Sequence, residues 1–254
     1  PAITSILCDQ PCNNKCVRKD IDDSIDLLKL EKAVVEYALS KSPIKYNIPK
    51  KSEKIAVIGA GLCGLSCTLK LASRGYNVVV FEKSDKVGGR LWELLSPDIF
   101  LPEIENQMQH IDYELKLNTE ISDIKELKKE FNAVLRATGK NGNDFGYLDG
   151  LNKDSLGSKE DGIFVAGSIL GTTPMESIEN GVRAAQSIEN YLKISRMHEM
   201  QGIDVNRSSR LIVNTKDIEP VPGVKSEKYT KEEAKQEAGR CIKCDCTECM
   251  KACE

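Results

Sequence analysis

Apolar positions change their period several times along the chain, and each change marks an element. Ile25, Leu27, Leu28, Leu30, Val34, Val35 and Ala38 recur at roughly helical spacing, which predicts an amphipathic helix up to about Leu39, packed beside the polar loop of residues 1–20. Residues 41–54 carry two prolines and five lysines with few apolar residues, the composition of an exposed, partly extended linker. A domain boundary near residue 52 follows. The next segment, Lys54-Ile-Ala-Val-Ile-Gly59, is a short uninterrupted apolar run ending in glycine, as expected of a parallel strand buried on both faces. A helix over 62–73 and a strand over 77–82 complete a β-α-β unit. Helical pattern is read over 102–116, strands over 131–139 and 162–167, and a helix with an apolar face over 177–193. This alternation predicts an α/β fold with a doubly wound, Rossmann-like parallel sheet.

The remainder is different in character. Residues 195–229 are polar and contain Pro220, Pro222 and Gly223, the pattern of a long irregular connection. Thr230 followed by Glu233 signals a capping box, so a short helix is expected through Ala238, closed by Gly239 and leading into a terminal group of cysteines. The expected organisation is a cysteine loop plus helix over 1–52, a nucleotide-binding domain over 53–194, the connection over 195–229, and a helix with cysteines over 230–254. No internal repeat or low-complexity tract interrupts it.

Composition narrows the function. The 254 residues are 40% apolar, enough to bury a core, and 36 Lys and Arg against 39 Asp and Glu give a net charge of -3, which argues against a nucleic-acid or polybasic membrane surface. No run approaches the roughly 18 apolar residues of a membrane span. The first residues, Pro-Ala-Ile-Thr-Ser-Ile-Leu-Cys, have neither a basic n-region nor a long apolar h-region, so a soluble, cytoplasmic protein is expected. The chain begins without Met and is read as processed or as part of something longer. Ten cysteines stand out: three in residues 8–16, two at 63 and 67, and five in residues 241–253. In a reducing compartment such groups hold metal more often than they form disulfides.

Gly59-Ala60-Gly61-Leu62-Cys63-Gly64 is a G-x-G-x-x-G between a buried strand and a helix, with Glu82 at the end of the next strand. Gly59 makes the tight turn, Gly61 lets the backbone approach a pyrophosphate, and Gly64 lets helix and strand pack closely. The helix N-terminus stabilises the phosphate charge, and Glu82 would accept hydrogen bonds from the ribose hydroxyls. Cys63 and Cys67 share a helix face; a redox disulfide is the sharper reading, and packing as small buried apolar residues the blander and preferred one. His110 and His198 have no partner pattern and read as surface residues. The charges of 125–130 read as a solvated helix face.

Cys241-x2-Cys244-x4-Cys249-x3-Cys253, with Cys246 between, is thiolate spacing of the iron–sulfur kind; zinc is the competing occupant. Cys8, Cys12 and Cys16 cannot complete a four-thiolate site alone. Three plus five makes eight, enough for two [4Fe-4S] clusters, and by the logic of two-cluster ferredoxins Cys253 would cross over to the first group.

Further motifs carry a resemblance. Gly88-Gly89-Arg90 and Ala137-Thr138-Gly139 resemble secondary fingerprints of two-dinucleotide-binding-domain flavoproteins, in which FAD occupies the first glycine motif. Gly162-Ile-Phe-Val-Ala-Gly167-Ser168 resembles their late FAD motif, with residues 172–181 leading into the helix that approaches the flavin. More closely, residues 1–193 look like the small, NADPH-oxidising subunit of glutamate synthase and its relatives, including the N-terminal part of dihydropyrimidine dehydrogenase. The carriers are the Cys8-x3-Cys12-x3-Cys16 triplet, the FAD motif, Leu117-Asn-Thr-Glu120 and the block from Gly162 to Ala185. The x2, x4, x3 spacing that those relatives carry near the N-terminus stands here at the C-terminus. The resemblance implies FAD held by Gly59, Gly61, Cys63, Gly64, Glu82, Lys83, Gly89, Arg90, Ala137, Thr138, Gly139, Gly167, Ser168 and Met175, and two [4Fe-4S] clusters on the terminal cysteines.

Two departures qualify it. The relatives insert an NADPH-binding domain between the Ala-Thr-Gly strand and the final FAD block, whereas about twenty residues separate Gly139 from Gly162 here. The chain contains no second G-x-G-x-x-G. Ser168 stands where relatives carry an Asp that hydrogen-bonds the ribityl chain, so that bond would be weaker. The expected function is an oxidoreductase subunit passing electrons between FAD, iron–sulfur clusters and a redox partner within a larger complex. The alternatives are a non-catalytic scaffold that kept the fold, and half of an NAD(P)H oxidoreductase whose nucleotide domain lies on another chain.

Overall fold

The computed structural model of the chain describes residues 2–45, 47–140, 142–194 and 215–242. Its helices are α1 (Thr4–Leu7), α2 (Leu27–Tyr37), α3 (Leu62–Ala72), α4 (Leu91–Leu94), α5 (Pro97–Met108), α6 (Ile124–Glu130), α7 (Pro174–Ile194) and α8 (Lys231–Gly239). The strands are β1 (Lys54–Ile58), β2 (Asn77–Phe81), β3 (Glu114–Lys116), β4 (Ala133–Arg136) and β5 (Ile163–Val165). The described residues divide into two compact units, one drawing on 2–41 and 215–242, the other on 42–194.

The larger unit is a parallel sheet in the order β3-β2-β1-β4-β5. Strand β1 is central, and Val57 pairs with Val80 on one side and Leu135 on the other. Because successive side chains point to opposite faces, β1 feeds two cores. Ile55 and Val57 pack with Leu71 of α3 and Ala184 and Ile188 of α7, while Ala56 and Ile58 pack with Phe81, Phe131 and Ile124 of α6. Both faces are covered, as the uninterrupted apolar run requires, and each fully buried aliphatic side chain contributes roughly 1.5–3 kcal/mol. Parallel α/β architecture of the Rossmann kind is therefore the fold of this unit.

The sequence pattern misplaces one stretch. Residues 102–116 are not one helix: α5 begins at Pro97, with the proline in its first turn, and ends at Met108, and β3 follows. Pro102 lies inside the helix. From Ile111 to Leu117 half-buried and exposed residues alternate strictly, which is strand periodicity, and β3 pairs with β2 through Leu115 and Val80.

The smaller unit combines α1, two 3-10 segments (Pro11–Lys15 and Val17–Asp20), α2 and α8. Asp26 caps α2 by accepting from the Lys29 N–H, and its own N–H donates to Glu237 of α8. Thr230 and Glu233 form both bonds of the capping box on α8. Gly239 does not close that helix in a left-handed conformation; it is the last helical residue, and Arg240 caps it with φ of -70°. The reason is that Arg240 is held in place by its side chain, described below, so no left-handed turn is needed.

Candidate functional site

The chain runs outward from β1 to β2 and β3, then returns to add β4 and β5 on the other side. Such a reversal leaves a crevice at the carboxyl ends of the two neighbouring strands, where ligands of open α/β sheets bind. A cleft of about 540 Å3 opens there. After β1 it is lined by Gly59, Gly61, Leu62 and Cys63; after β2 by Glu82, Lys83, Ser84, Gly89 and Arg90; after β4 by Ala137, Thr138 and Gly139; after β5 by Ser168. Eleven of the fourteen residues expected to hold a dinucleotide thus line one cleft. Gly64 and Gly167 lie buried behind it, and half-buried Met175 is in the first turn of α7 without lining it.

Each glycine has its own physical reason. Gly59 has φ of +106°, and a Cβ there would stand 2.4 Å from the Ala137 carbonyl oxygen. A Cβ on Gly64 would stand 1.9 Å from the Gly59 carbonyl oxygen, so α3 can approach β1 only without one. Gly61 differs. Its φ is -84°, open to any residue, and a Cβ would find only the Gly89 Cα, at 4.0 Å. No protein atom requires a glycine there.

Glu82 braces this loop. One carboxylate oxygen accepts from the Ala60 N–H at 2.7 Å, and the other accepts from the Ser84 N–H and hydroxyl at 2.9 and 2.8 Å. Gly59 and Gly88 tie the same loop to the Phe81 and Ala60 carbonyls. Across the cleft the Ser168 hydroxyl faces Gly139, and Asn180 of α7 accepts from the Gly167 N–H. Lys83, Arg90 and Lys140 bring positive charge to the rim and Glu93 negative charge.

Cys63 and Cys67 are both buried in the core shared by α3 and the sheet, and both are free thiols. Burial, reinforced by the negative charge of Glu179, pushes the Cys63 thiol up to about 12, and burial also raises the Cys67 thiol well above its ordinary value. A thiol so raised is a poor nucleophile, which agrees with the packing reading. The charged residues of 125–130 form α6, with an exposed Lys129–Glu126 pair. Thr172 and Ser177, within the stretch 172–181 read as leading toward the flavin, line the cleft as well, and so do Ser84, Leu94, Lys140 and Gly142, which no motif announced. Arg136, fully buried at the end of β4, donates to the carbonyls of Gly142 and Asn143 and so folds the following loop over the strand end. An arginine inside an apolar strand was the signal for it.

In the smaller unit the N-terminal cysteines sit at successive breaks in the backbone. Cys8 caps α1, Cys12 lies buried in the first 3-10 segment, and Cys16 separates it from the second. Gln10, at φ of 56°, turns its N–H onto the Cys8 sulfur at 3.4 Å, the kind of bond that tunes a metal-bound thiolate. Cys241 is exposed. Cys244, Cys246, Cys249 and Cys253, like His198, lie outside the described residues. Among the described residues no three His, Cys, Asp or Glu side chains converge to hold a metal ion, and no helix is long and apolar enough to cross a membrane.

A family described as an NAD(P)-binding Rossmann-like domain matches residues 57–93, from β1 to α4. The NADPH-Fe(3+) oxidoreductase subunit beta of Geobacter sulfurreducens is 29% identical over 175 residues, covering 64% of this chain and 26% of that protein. The glutamate synthase [NADPH] small chain of Bacillus subtilis is 30% identical over 154 residues, covering 55% and 30%. Among solved structures, histamine dehydrogenase from Rhizobium sp. 4-9 matches 38% of this chain and 16% of that one at 29% identity and a TM-score of 0.32. The chain spans under a third of the length of these two curated relatives, and over that part it is similar in sequence to the small chain of glutamate synthase and the beta subunit of NADPH-Fe(3+) oxidoreductase, as its motifs implied.

Proposed function

We propose that the chain is an electron-transfer part of an oxidoreductase, binding FAD in the cleft of the larger unit and iron–sulfur clusters on its terminal cysteines. The observation that carries the FAD half is Gly61: a glycine with ordinary φ, at a helix N-terminus, with open space where its side chain would be. The donor set fits the group. Gly61 and Gly89 admit the pyrophosphate to the backbone, and the first N–H groups of α3 face it. A carboxylate has about four lone-pair sites, so Glu82 can keep its three bonds to Ala60 and Ser84 and still accept one ribose hydroxyl. The Ser168 hydroxyl would bond the ribityl chain, and Leu62, Cys63 and Leu94 give the cleft part of its apolar lining.

Cys8, Cys12, Cys16 and Cys241 offer thiols of the right chemistry for iron–sulfur clusters, to be completed by Cys244, Cys246, Cys249 and Cys253. When bound, flavin and clusters supply the redox chemistry, and the residues around them supply distance, insulation and potential. The short connection from Gly139 to Gly162 holds no second nucleotide motif, so electrons are expected to enter or leave through a partner subunit or domain.

Anaerobically purified protein supplied with FAD should show flavin absorption near 450 nm over a broad iron–sulfur shoulder that bleaches with dithionite. NADPH alone should leave the flavin oxidised. A protein that binds no flavin sinks the reading, and rapid reduction by NADPH shows that the electron entry point has been misassigned.

A further inference from the structure

Two arginines and two carboxylates are buried together in the smaller unit. Arg18 and Arg240 are each 4% exposed and Glu237 1%. Arg18 grips Asp22 with two bonds of 2.9 and 2.6 Å. Arg240 grips Glu237 with two bonds of 2.7 and 2.8 Å and donates to Asp22 at 2.9 Å. Each arginine also reaches the backbone of the other chain end: Arg18 donates to the Arg240 carbonyl at 3.0 Å, and Arg240 to the Asp23 carbonyl at 2.8 Å.

Stability alone is a poor reason for such a cluster. Desolvating charges costs several kcal/mol per ion, and well-packed apolar replacements are often equally or more stable. What an ionic cluster does better is specify one alignment, because planar guanidinium forks accept little slippage. The alignment in question joins two segments more than two hundred residues apart. Arg18 lies two residues after Cys16, and Arg240 immediately precedes Cys241. The carbonyl that Arg18 holds belongs to the peptide linking Arg240 to Cys241.

We propose that Arg18, Asp22, Glu237 and Arg240 are positioning residues that set the register of Cys241 against the N-terminal cysteines, so that a metal cluster can draw thiolates from both segments. This rests on the iron–sulfur reading above. A one-residue slip between the segments would move Cys241 by more than 3 Å, beyond what iron–thiolate bonding tolerates. The role is indirect: none of the four side chains needs to touch the metal.

The test uses the full chain, reconstituted anaerobically with ferrous iron and sulfide. In the double variant Glu237→Leu/Arg240→Met the helical circular dichroism is expected to persist, while iron is lost to a chelator about tenfold faster or more and the electron paramagnetic resonance signal of the reduced clusters changes. Arg240→Lys keeps the charge and loses the fork, and should show the same changes in weaker form; it decides the matter if the double variant does not fold. Unchanged iron retention and an unchanged resonance signal in a folded variant overturn the positioning role and leave the cluster reading standing. A wild-type chain that takes up no iron and sulfide overturns the cluster reading and the positioning role together.

Discussion

Gly59 and Gly61 occupy one loop yet answer to different constraints, and substitution separates them. Gly59→Ala forces a left-handed alanine against the Ala137 carbonyl, at a cost of about 2 kcal/mol or more. Denaturation followed by the fluorescence of Trp92, in the same unit, should register that loss. Gly61→Ala meets no protein atom closer than 4.0 Å. It should hold stability within about 1 kcal/mol and weaken FAD binding tenfold or more, about 1.4 kcal/mol. Equal FAD affinity in the Gly61 variant would mean that no pyrophosphate passes over this glycine. The motif was legible in the sequence; the division of labour within it was not, because it depends on what lies across the loop. Glu82 makes the same point. Its distance in sequence announced a ribose ligand, while its bonds to Ala60 and Ser84 emerge only when β1 and β2 are side by side.

Helices α3 and α7 show how the elements hold the site. Gly181 of α7 is packed so closely on α3 that a Cβ would stand 2.3 Å from the Cys63 carbonyl oxygen. Helix propensity alone would make Gly181→Ala stabilising by about 1 kcal/mol, whereas overpacking should make it destabilising by about 1–3 kcal/mol. Thermal unfolding decides the sign, and a raised melting temperature would contradict the close crossing. Cys67 is fully buried in the core that α3 and α7 share with the sheet. Most elements were predictable from period alone, since a buried parallel strand and an amphipathic helix write distinct local patterns. β3 was missed because the three-residue strand was absorbed into the helical pattern read over 102–116. Gly239 was read as a helix stop by its residue type, but the end of α8 is set by the bonds of Arg240 to Glu237 and Asp22.

At the scale of the molecule, the smaller unit is built from both ends of the chain and held by buried charge, which makes it sensitive to acid. Burial by itself would raise the Asp22 carboxyl, but the Arg18 and Arg240 guanidiniums and the N–H groups of Val221 and Asp23 outweigh it and hold the group well below the carboxylate range. Glu237 is lowered against the same burial cost by Val224, Arg240 and Asp26. A carboxyl depressed on folding contributes stability above its unfolded value, about 3.9 for Asp and 4.3 for Glu, and that contribution disappears as pH falls through the folded value. Metal-free protein should therefore lose stability in this unit below about pH 4. Carbon-13 NMR of the Asp22 carboxyl should give a midpoint clearly under 3.9, and a midpoint at or above it would show that the ion cluster does not form in solution. By itself the sequence determined β1, β2, β4 and β5, the helices α2, α3 and α7, the glycine loop and the thiol-rich segments, because periodicity, turn chemistry and residue type are local information. Only the tertiary structure decided which glycine leaves room for a ligand and how α8 ends. It also decided that Arg18, Asp22, Glu237 and Arg240, which no sequence motif singles out, form a buried joint between two segments far apart in the chain, since ion pairing across such a separation leaves no local trace.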